Sequence, residues 1–159
     1  MAGGVALVRV HPSEPARVAL AKGLFQEYAD SLGVDLSFQN FASELEAFPS
    51  GYVPPDGALI MVLRGDDGVG CIGVRRFDSD VCEMKRLYVR AGERGGGLGR
   101  RLCEAALDAA RMLGYARMRL DTLSDMAAAR KLYRQLGFQE IAPYYDNPVE
   151  GTSYMERGL

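Results

Sequence analysis

Apolar and polar positions along the chain change period several times, and each change marks an element. Val5 to Val10 alternates weakly and is rich in valine, which predicts a strand, and His11-Pro12-Ser13 breaks it, with Ser13 placed to cap a following helix. Leu20, Leu24, Phe25, Tyr28 and Leu32 then fall on one helical stripe that Gly33 ends. Residues 37–48 predict a second, weaker amphipathic helix with Phe38, Phe41, Leu45 and Phe48 on one side, and a loop with Gly51, Pro54, Pro55 and Gly57 follows. Three strands come next, 58–63, 69–77 and 81–89, joined by turns at 64–68 and 78–80, the pattern of an antiparallel meander.

The stretch from Val81 to Leu113 then runs as strand, glycine-rich turn and helix without a break. Gly92, Gly95, Gly96 and Gly97 form the turn, and Leu98, Leu102, Ala105, Ala106, Ala109 and Leu113 recur at helical spacing. A strand at 116–121, a helix at 125–136 and a strand at 138–142 complete the order, with 152–156 expected to close the sheet. This is an α/β (α+β) arrangement, a mixed sheet with helices on its faces, and 159 residues suit one domain spanning 1–159.

The join at the glycines suits a phosphate. Glycines let backbone N–H groups converge without a Cβ in the way, and the first turn of a helix offers unpaired donors and a favourable dipole. Arginines at 86, 90, 94, 100 and 101 are expected to cluster there and match a small polyphosphate. A net charge of −2 argues against bulk nucleic-acid binding, which needs a broad basic face. Cys71, Cys82 and Cys103 are odd in number and lack CxxC spacing, so they read as reduced core residues, neither a disulfide framework nor a metal site. No apolar run approaches 18 residues or so, and no basic leader precedes an apolar stretch, so a membrane span is not expected and the cytoplasm is. His11, the sole histidine, reads as a solvated turn residue, since no nucleophile pattern accompanies it.

Two motifs at the right interval carry a family resemblance over nearly the whole chain. Arg94-Gly95-Gly96-Gly97-Leu98-Gly99 and the later set Ala129, Leu132, Tyr133, Gly137 and Phe138 together resemble the GNAT superfamily of acetyl-coenzyme A dependent N-acetyltransferases. A dinucleotide fingerprint fits less well, because the third glycine place falls on Arg100 or Leu102, and no Lys-Ser or Lys-Thr pair follows for a P-loop.

The resemblance implies a GNAT-like, mostly antiparallel central sheet flanked by helices on both faces. It implies that amides from Gly95, Gly96, Gly97, Leu98, Gly99 and Arg100 hold the coenzyme pyrophosphate, with Arg94 and Arg100 reinforcing it. Leu87, Tyr88 and Val89 would pair their backbone with the pantetheine amides. Tyr133 occupies the general-acid position, its structural alternative being a core tyrosine beside Leu132 and Leu136. Glu83 is the candidate base, with ion pairing to Lys85 or Arg75 as the alternative. Many relatives have Asn where this chain has Met126, so its contact to the pantetheine arm would be lost or supplied by Ser124 or Asp125.

The implied partners are acetyl-coenzyme A and an amine, small molecule or protein, with no metal, nucleic acid or membrane and no covalent enzyme intermediate. Cys82, in a central strand, is expected to be buried and inert. Glu44, Glu46, Asp146 and Glu150 would draw a cationic amine, and the tail at 144–148 would shape a pocket or pack a homodimer. A coenzyme A sensor without turnover is the alternative function; it would keep Arg94 to Arg100 and dispense with Tyr133 and Glu83.

Overall fold

The computed structural model describes residues 4–33, 35–124 and 126–159, with Phe38 described by its backbone alone. The elements are β1 (Val5–Arg9), α1 (Pro15–Ser31), a 3-10 turn (Ser37–Gln39), α2 (Phe41–Glu46), β2 (Ala58–Arg64), β3 (Asp67–Arg76), β4 (Val81–Val89), α3 (Leu98–Met112), β5 (Arg117–Thr122), α4 (Ala127–Gln135), β6 (Gln139–Ile141) and β7 (Ser153–Gly158). They build one seven-stranded sheet in the order β1-β2-β3-β4-β5-β7-β6. Only β4 and β5 are parallel neighbours, because the crossover through α3 joins them; the other neighbours are antiparallel. The last strand does not close the sheet at its edge. β7 inserts between β5 and β6, leaving the three-residue β6 outermost.

Alternation along the strands sends side chains to two separate cores. Ile60, Val62, Ile72 and Met84 meet Leu102, Cys103, Ala106 and Tyr133 on the face covered by α3 and α4. Leu59, Met61 and Cys71 meet Leu24, Phe25 and Phe41 on the face covered by α1 and α2. The three cysteines are free and buried, with Cys71 in the second core and Cys82 and Cys103 in the first.

Three local expectations change. Glu14, not Ser13, precedes α1, whose first residue is Pro15. Ser13 Oγ bonds His11 Nδ1 at 2.6 Å instead, and Glu14 Oε1 accepts the His11 N–H at 2.7 Å, so the histidine is part of a hydrogen-bonded turn. Leu20 stands on the exposed rim of the α1 stripe, and Ala21 takes its place in the core. The single helix expected over 37–48 is broken at Asn40, which adopts the left-handed conformation at φ 55°. Phe41, Leu45 and Phe48 still pack on the α1 core; the side chain of Phe38 lies outside the described residues, as does Asp125.

Gly73 on β3 is required by contact. A Cβ there would come within 2.5 Å of the Tyr52 ring, which is buried edge-on against Phe25. Gly73→Ala should therefore destabilise the protein by ~1–3 kcal/mol, the usual penalty of overpacking. Thermal unfolding checks this, and an unchanged midpoint would contradict the packing described.

Candidate active site

The parallel pairing of β4 with β5 lasts three residues. Val81, Cys82 and Glu83 face Arg117, Met118 and Arg119, and beyond them the strands diverge. The cause lies on the other side of β4. Between the Gly73–Lys85 and Cys71–Tyr88 pairs, β3 supplies Ile72 alone while β4 supplies both Arg86 and Leu87. This extra residue is a β-bulge, and Arg86 sits in it at φ 62°, a left-handed conformation that costs a non-glycine residue about 1–2 kcal/mol. A bulge bends its strand, which is what separates β4 from β5.

The opened gap holds an inner cavity lined by Met84, Lys85, Arg86 and Leu87 of β4, Leu120, Asp121 and Leu123 around the end of β5, and Met126, Ala129 and Tyr133 around α4. Two further cavities adjoin it. One runs along the glycine turn, lined by Val89, Arg94, Gly95, Gly97, Leu98, Gly99 and Arg100 with Ala128, Ala129 and Leu132 of α4. The other opens on the opposite side between Gln39, Asn40, Arg75, Arg76, Phe77, Glu83, Lys85, Tyr144 and Tyr145. Ala129 is shared by the first two, and Gln39 and Lys85 by the inner and the opposite one.

The glycine turn has the features an anion needs. Gly95 and Gly97 adopt φ of 89° and 82°, and a Cβ at Gly95, Gly96 or Gly97 would meet open space. Gly97 caps α3 without a side-chain hydrogen bond, and Arg101 N–H is the one that bonds back to Gly97 O, so the donors of Leu98, Gly99 and Arg100 precede the helix ladder. Gly96 does not line the cavity, unlike its neighbours.

The arginine cluster expected at this turn is divided. Arg100 stays exposed beside Gln135 and Glu104, and Arg94 donates from Nε to Val89 O at 2.8 Å. Arg90 is held by Glu27, and Arg86 is buried on the other side of the sheet gap. Val89 thus has its carbonyl engaged by Arg94, while Leu87 lines the inner cavity. Tyr88 sends its phenol to the α1 side, against Tyr28 and towards Glu27.

Tyr133 lines the inner cavity and is buried beside Phe138, so the two readings of this residue coincide in place. Burial pushes its phenol well above the usual tyrosine range, with Cys103, Tyr28 and Asp121 adding to the effect. Met126 precedes α4 and presents its thioether where an amide was expected, and Thr122 Oγ1 donates to its Sδ at 3.7 Å. Ser124 is exposed, and Asp125 lies outside the described residues.

Glu83 is buried and partnered. Arg75 donates to Oε1 at 3.0 Å, Tyr144 OH donates to Oε2 at 2.8 Å, and Lys85 Nζ lies 3.8 Å from Oε2. It faces the cavity on the opposite side and not the inner one. Around it stands a network that sequence reading missed. Glu44 takes Arg86 in a fork, Nε to Oε2 at 3.1 Å and Nη2 to Oε1 at 3.0 Å, and also reaches Arg75 Nη1 at 3.3 Å. Gln39 Oε1 accepts from Arg86 Nη1 at 2.6 Å and from Lys85 Nζ at 3.2 Å, while its Nε2 donates to Tyr145 OH, which in turn donates to Asp121 Oδ2. The one available signal was that β4 carries charge on both faces, at Glu83 and Lys85 and again at Arg86, although a central strand is covered on both.

The acidic face expected for a cationic acceptor does not form. Glu44 is neutralised by Arg75 and Arg86, and Glu46, Asp146 and Glu150 are exposed and line none of these three cavities. The tail does shape a pocket: Tyr144 and Tyr145 wall the acceptor side, and Arg119 stacks on both Phe77 and Tyr144. Among the described residues no group of three or more His, Cys, Asp or Glu side chains is placed to hold a metal ion, and no helix is long and apolar enough to cross a membrane.

Known proteins share this arrangement. The model of the Acetyltransferase (GNAT) family matches residues 21–138. An uncharacterized N-acetyltransferase of Schizosaccharomyces pombe is 42% identical over 137 residues, covering 84% of this chain and 83% of its own length. The crystal structure of an acetyltransferase from Streptococcus agalactiae has the same fold, with a TM-score of 0.78 at 22% identity over 98% of this chain and 99% of the other. The yncA protein of Salmonella typhimurium, solved with its cofactor acetyl-CoA, gives a TM-score of 0.70 at 20% identity over 99% of this chain and 95% of the other. With the family model matching residues 21–138, a span that includes the glycine turn and α4, the chain belongs to the GNAT family of acetyltransferases, acyltransferases that use acetyl-coenzyme A as cosubstrate.

Proposed function

We propose that this protein moves the acetyl group of acetyl-coenzyme A to a primary amine by direct attack. The observation that carries the reading is that the three cavities adjoin. The glycine-turn cavity shares Ala129 with the inner one, and the inner one shares Gln39 and Lys85 with the acceptor side, an arrangement in which two substrates would approach by different cavities and meet beside Tyr133. Holding two reactants in one place in this way supplies much of the rate enhancement of a bimolecular transfer.

The coenzyme delivers the acetyl group as a thioester. The first-turn amides of α3 with Arg94 and Arg100 hold its phosphates, and the unpaired edge of β4 around Leu87 offers backbone groups to its amide-bearing arm. Tyr133 is the general acid. Its burial keeps the phenol protonated at neutral pH, the form that can give a proton to the departing thiolate. On the acceptor side, removal of the amine's proton falls to the Glu83 and Lys85 pair.

Replacing Tyr133 by Phe keeps the shape of the inner cavity and removes its acid. Turnover, measured as thiol release against a panel of primary amines, should fall by roughly 10²-fold or more while calorimetric affinity for acetyl-coenzyme A stays within about twofold. Unchanged turnover would remove Tyr133 from the mechanism, and a wild-type protein that binds the coenzyme but releases no thiol with any amine would favour the sensor.

The coenzyme channel is tested by two glycines. Gly99 lines it without a positive φ, and the nearest atom to a Cβ there is Leu132 Cδ2 at 3.8 Å. Gly99→Val should weaken acetyl-coenzyme A binding by about tenfold or more, the loss of roughly one hydrogen bond, with little change in melting temperature. Gly97→Val should weaken binding and also lower stability by ~1–3 kcal/mol, because valine must adopt φ 82°. Full affinity in both variants would place the coenzyme elsewhere.

A further inference from the structure

Arg75, Lys85 and Arg86 face Glu44, Glu83 and Asp121 where the inner and acceptor-side cavities join, and they are not equally supported. Arg86 is forked onto Glu44 and stacked over Phe41. Arg75 is hydrogen-bonded to Glu83 and reaches Glu44. Lys85 has no carboxylate in hydrogen-bond reach among the described residues: Asp121 Oδ1 is 3.6 Å away and Glu83 Oε2 is 3.8 Å away. Lys85 Nζ does donate within reach to the neutral amide oxygen of Gln39, at 3.2 Å. The carboxylates are meanwhile spoken for, Glu83 by Arg75 and Tyr144, and Asp121 by Tyr145. A buried ammonium needs about three acceptors, so of the three cations this one is least held in its charged form.

Its place matters as much as its partners. Lys85 is 3% exposed at the side chain, yet it lines both the inner cavity that contains Tyr133 and the acceptor-side cavity that contains Glu83. Glu83 and Tyr133 themselves line different cavities. An amine held where these two cavities adjoin would lie near Lys85 Nζ, and two charged nitrogens there would repel each other in a medium of low dielectric.

We propose that Lys85 is the group that takes the proton from the attacking nitrogen, with Glu83 and Asp121 stabilising the ammonium it becomes. This rests on the acetyltransferase reading and names its base. The step balances as follows. The acceptor nitrogen forms a bond to the acetyl carbon, Lys85 Nζ accepts one of its protons, the carbon–sulfur bond breaks, and the sulfur leaves with the proton of Tyr133. Lys85 then returns its proton to solvent through the acceptor-side cavity and the Tyr133 phenolate takes one up from solvent, so both groups are restored and no net proton is gained or lost. Burial favours the neutral amine, which lies below the usual lysine range; Glu83 and Asp121 oppose this, and Arg86 and Arg75 add to it. Gln39, Asn40, Arg76, Tyr144 and Tyr145 also line the acceptor-side cavity.

Two measurements together decide it. With lysine labelled by ¹⁵N, the Nζ resonance absent from Lys85→Arg identifies Lys85 in the wild type, and its pH titration reads its protonation state. It should titrate well below the other lysines; an ammonium that persists through about pH 10 overturns the proposal. With an amine that the wild type acetylates, both Lys85→Arg and Lys85→Met should lose roughly 10²-fold or more in kcat and the rising limb of the pH–rate profile, with acetyl-coenzyme A affinity retained. A Lys85→Arg variant within tenfold of wild type would show that charge alone is needed and would overturn the proposal. Absence of wild-type turnover with every amine would instead sink the acetyltransferase reading, and the titration would still report on Lys85.

Discussion

The site depends on one strained residue. Arg86 occupies a left-handed backbone conformation inside a central strand, where arginine has no intrinsic reason to be. The extra residue it contributes bends β4, ends the pairing with β5 after Glu83 and Arg119, and leaves the strand edges apart. Strain of about 1–2 kcal/mol persists only where the surroundings over-determine it. Here they do: Glu44 and Gln39 fix the guanidinium, Phe41 and Tyr28 lie under it, and the Cys71 thiol donates to the Arg86 carbonyl at 3.4 Å. α2 and the turn before it therefore do more than cover the sheet. They hold the bend that makes the cavity.

Fixing a bend with a buried arginine brings a second cost, since an unpaired charge out of water is expensive. The structure answers with further charges. Glu44 neutralises Arg86 and reaches Arg75, and Arg75 binds Glu83. Gln39 links Arg86 to Lys85 and, through Tyr145, to Asp121. The network ties the 3-10 turn, α2, β3, β4, β5 and the loop before β7 together around the cavity junction. Such a network resists piecemeal change, because removing one member leaves another buried and unpaired. It also explains why the amine side is not simply acidic: the carboxylates nearest the junction are engaged by cations or phenols.

What could be read from the sequence was what is local. The glycine turn, the α3 stripe and the α4 motif are contiguous, and turn chemistry and helical period report them directly. The β2–β3–β4 meander was legible for the same reason, its turns lying in the intervening residues. The bulge was not. VCEMKRLYV has the composition of an ordinary strand, its charge on both faces does not mark a bulge, and arginine gives no sign of a positive φ. Asn40, by contrast, is a residue type that tolerates the left-handed conformation, and the expected helix over 37–48 ignored it. The insertion of β7 between β5 and β6 is a long-range pairing with no local mark. The partners of Glu83 were named in advance as Arg75 and Lys85, but Glu44, Gln39 and Tyr144 reach it or its neighbours from distant segments.

Burial at Tyr133 raises a difficulty and also resolves it. A phenol near pKa 10 can protonate a thiolate near 8.5 across a small uphill gap, but desolvation pushes Tyr133 higher and would widen that gap if the thiolate stayed in water. It does not stay in water. On the proposed mechanism a thiolate formed beside Tyr133 would stand in the same cavity, against Leu87, Leu120, Leu123 and Met126 as well as Lys85 and Asp121, and desolvation would disfavour that anion as it disfavours the phenolate. The two values rise together and the difference between them stays small. An apolar wall at Met126, where an amide would have offered a hydrogen bond, strengthens this matching: it withholds stabilisation from the thiolate and so favours its protonation. On the proposed mechanism the acid would work because phenol and thiolate share one enclosed cavity, the cavity that the bend in β4 opens.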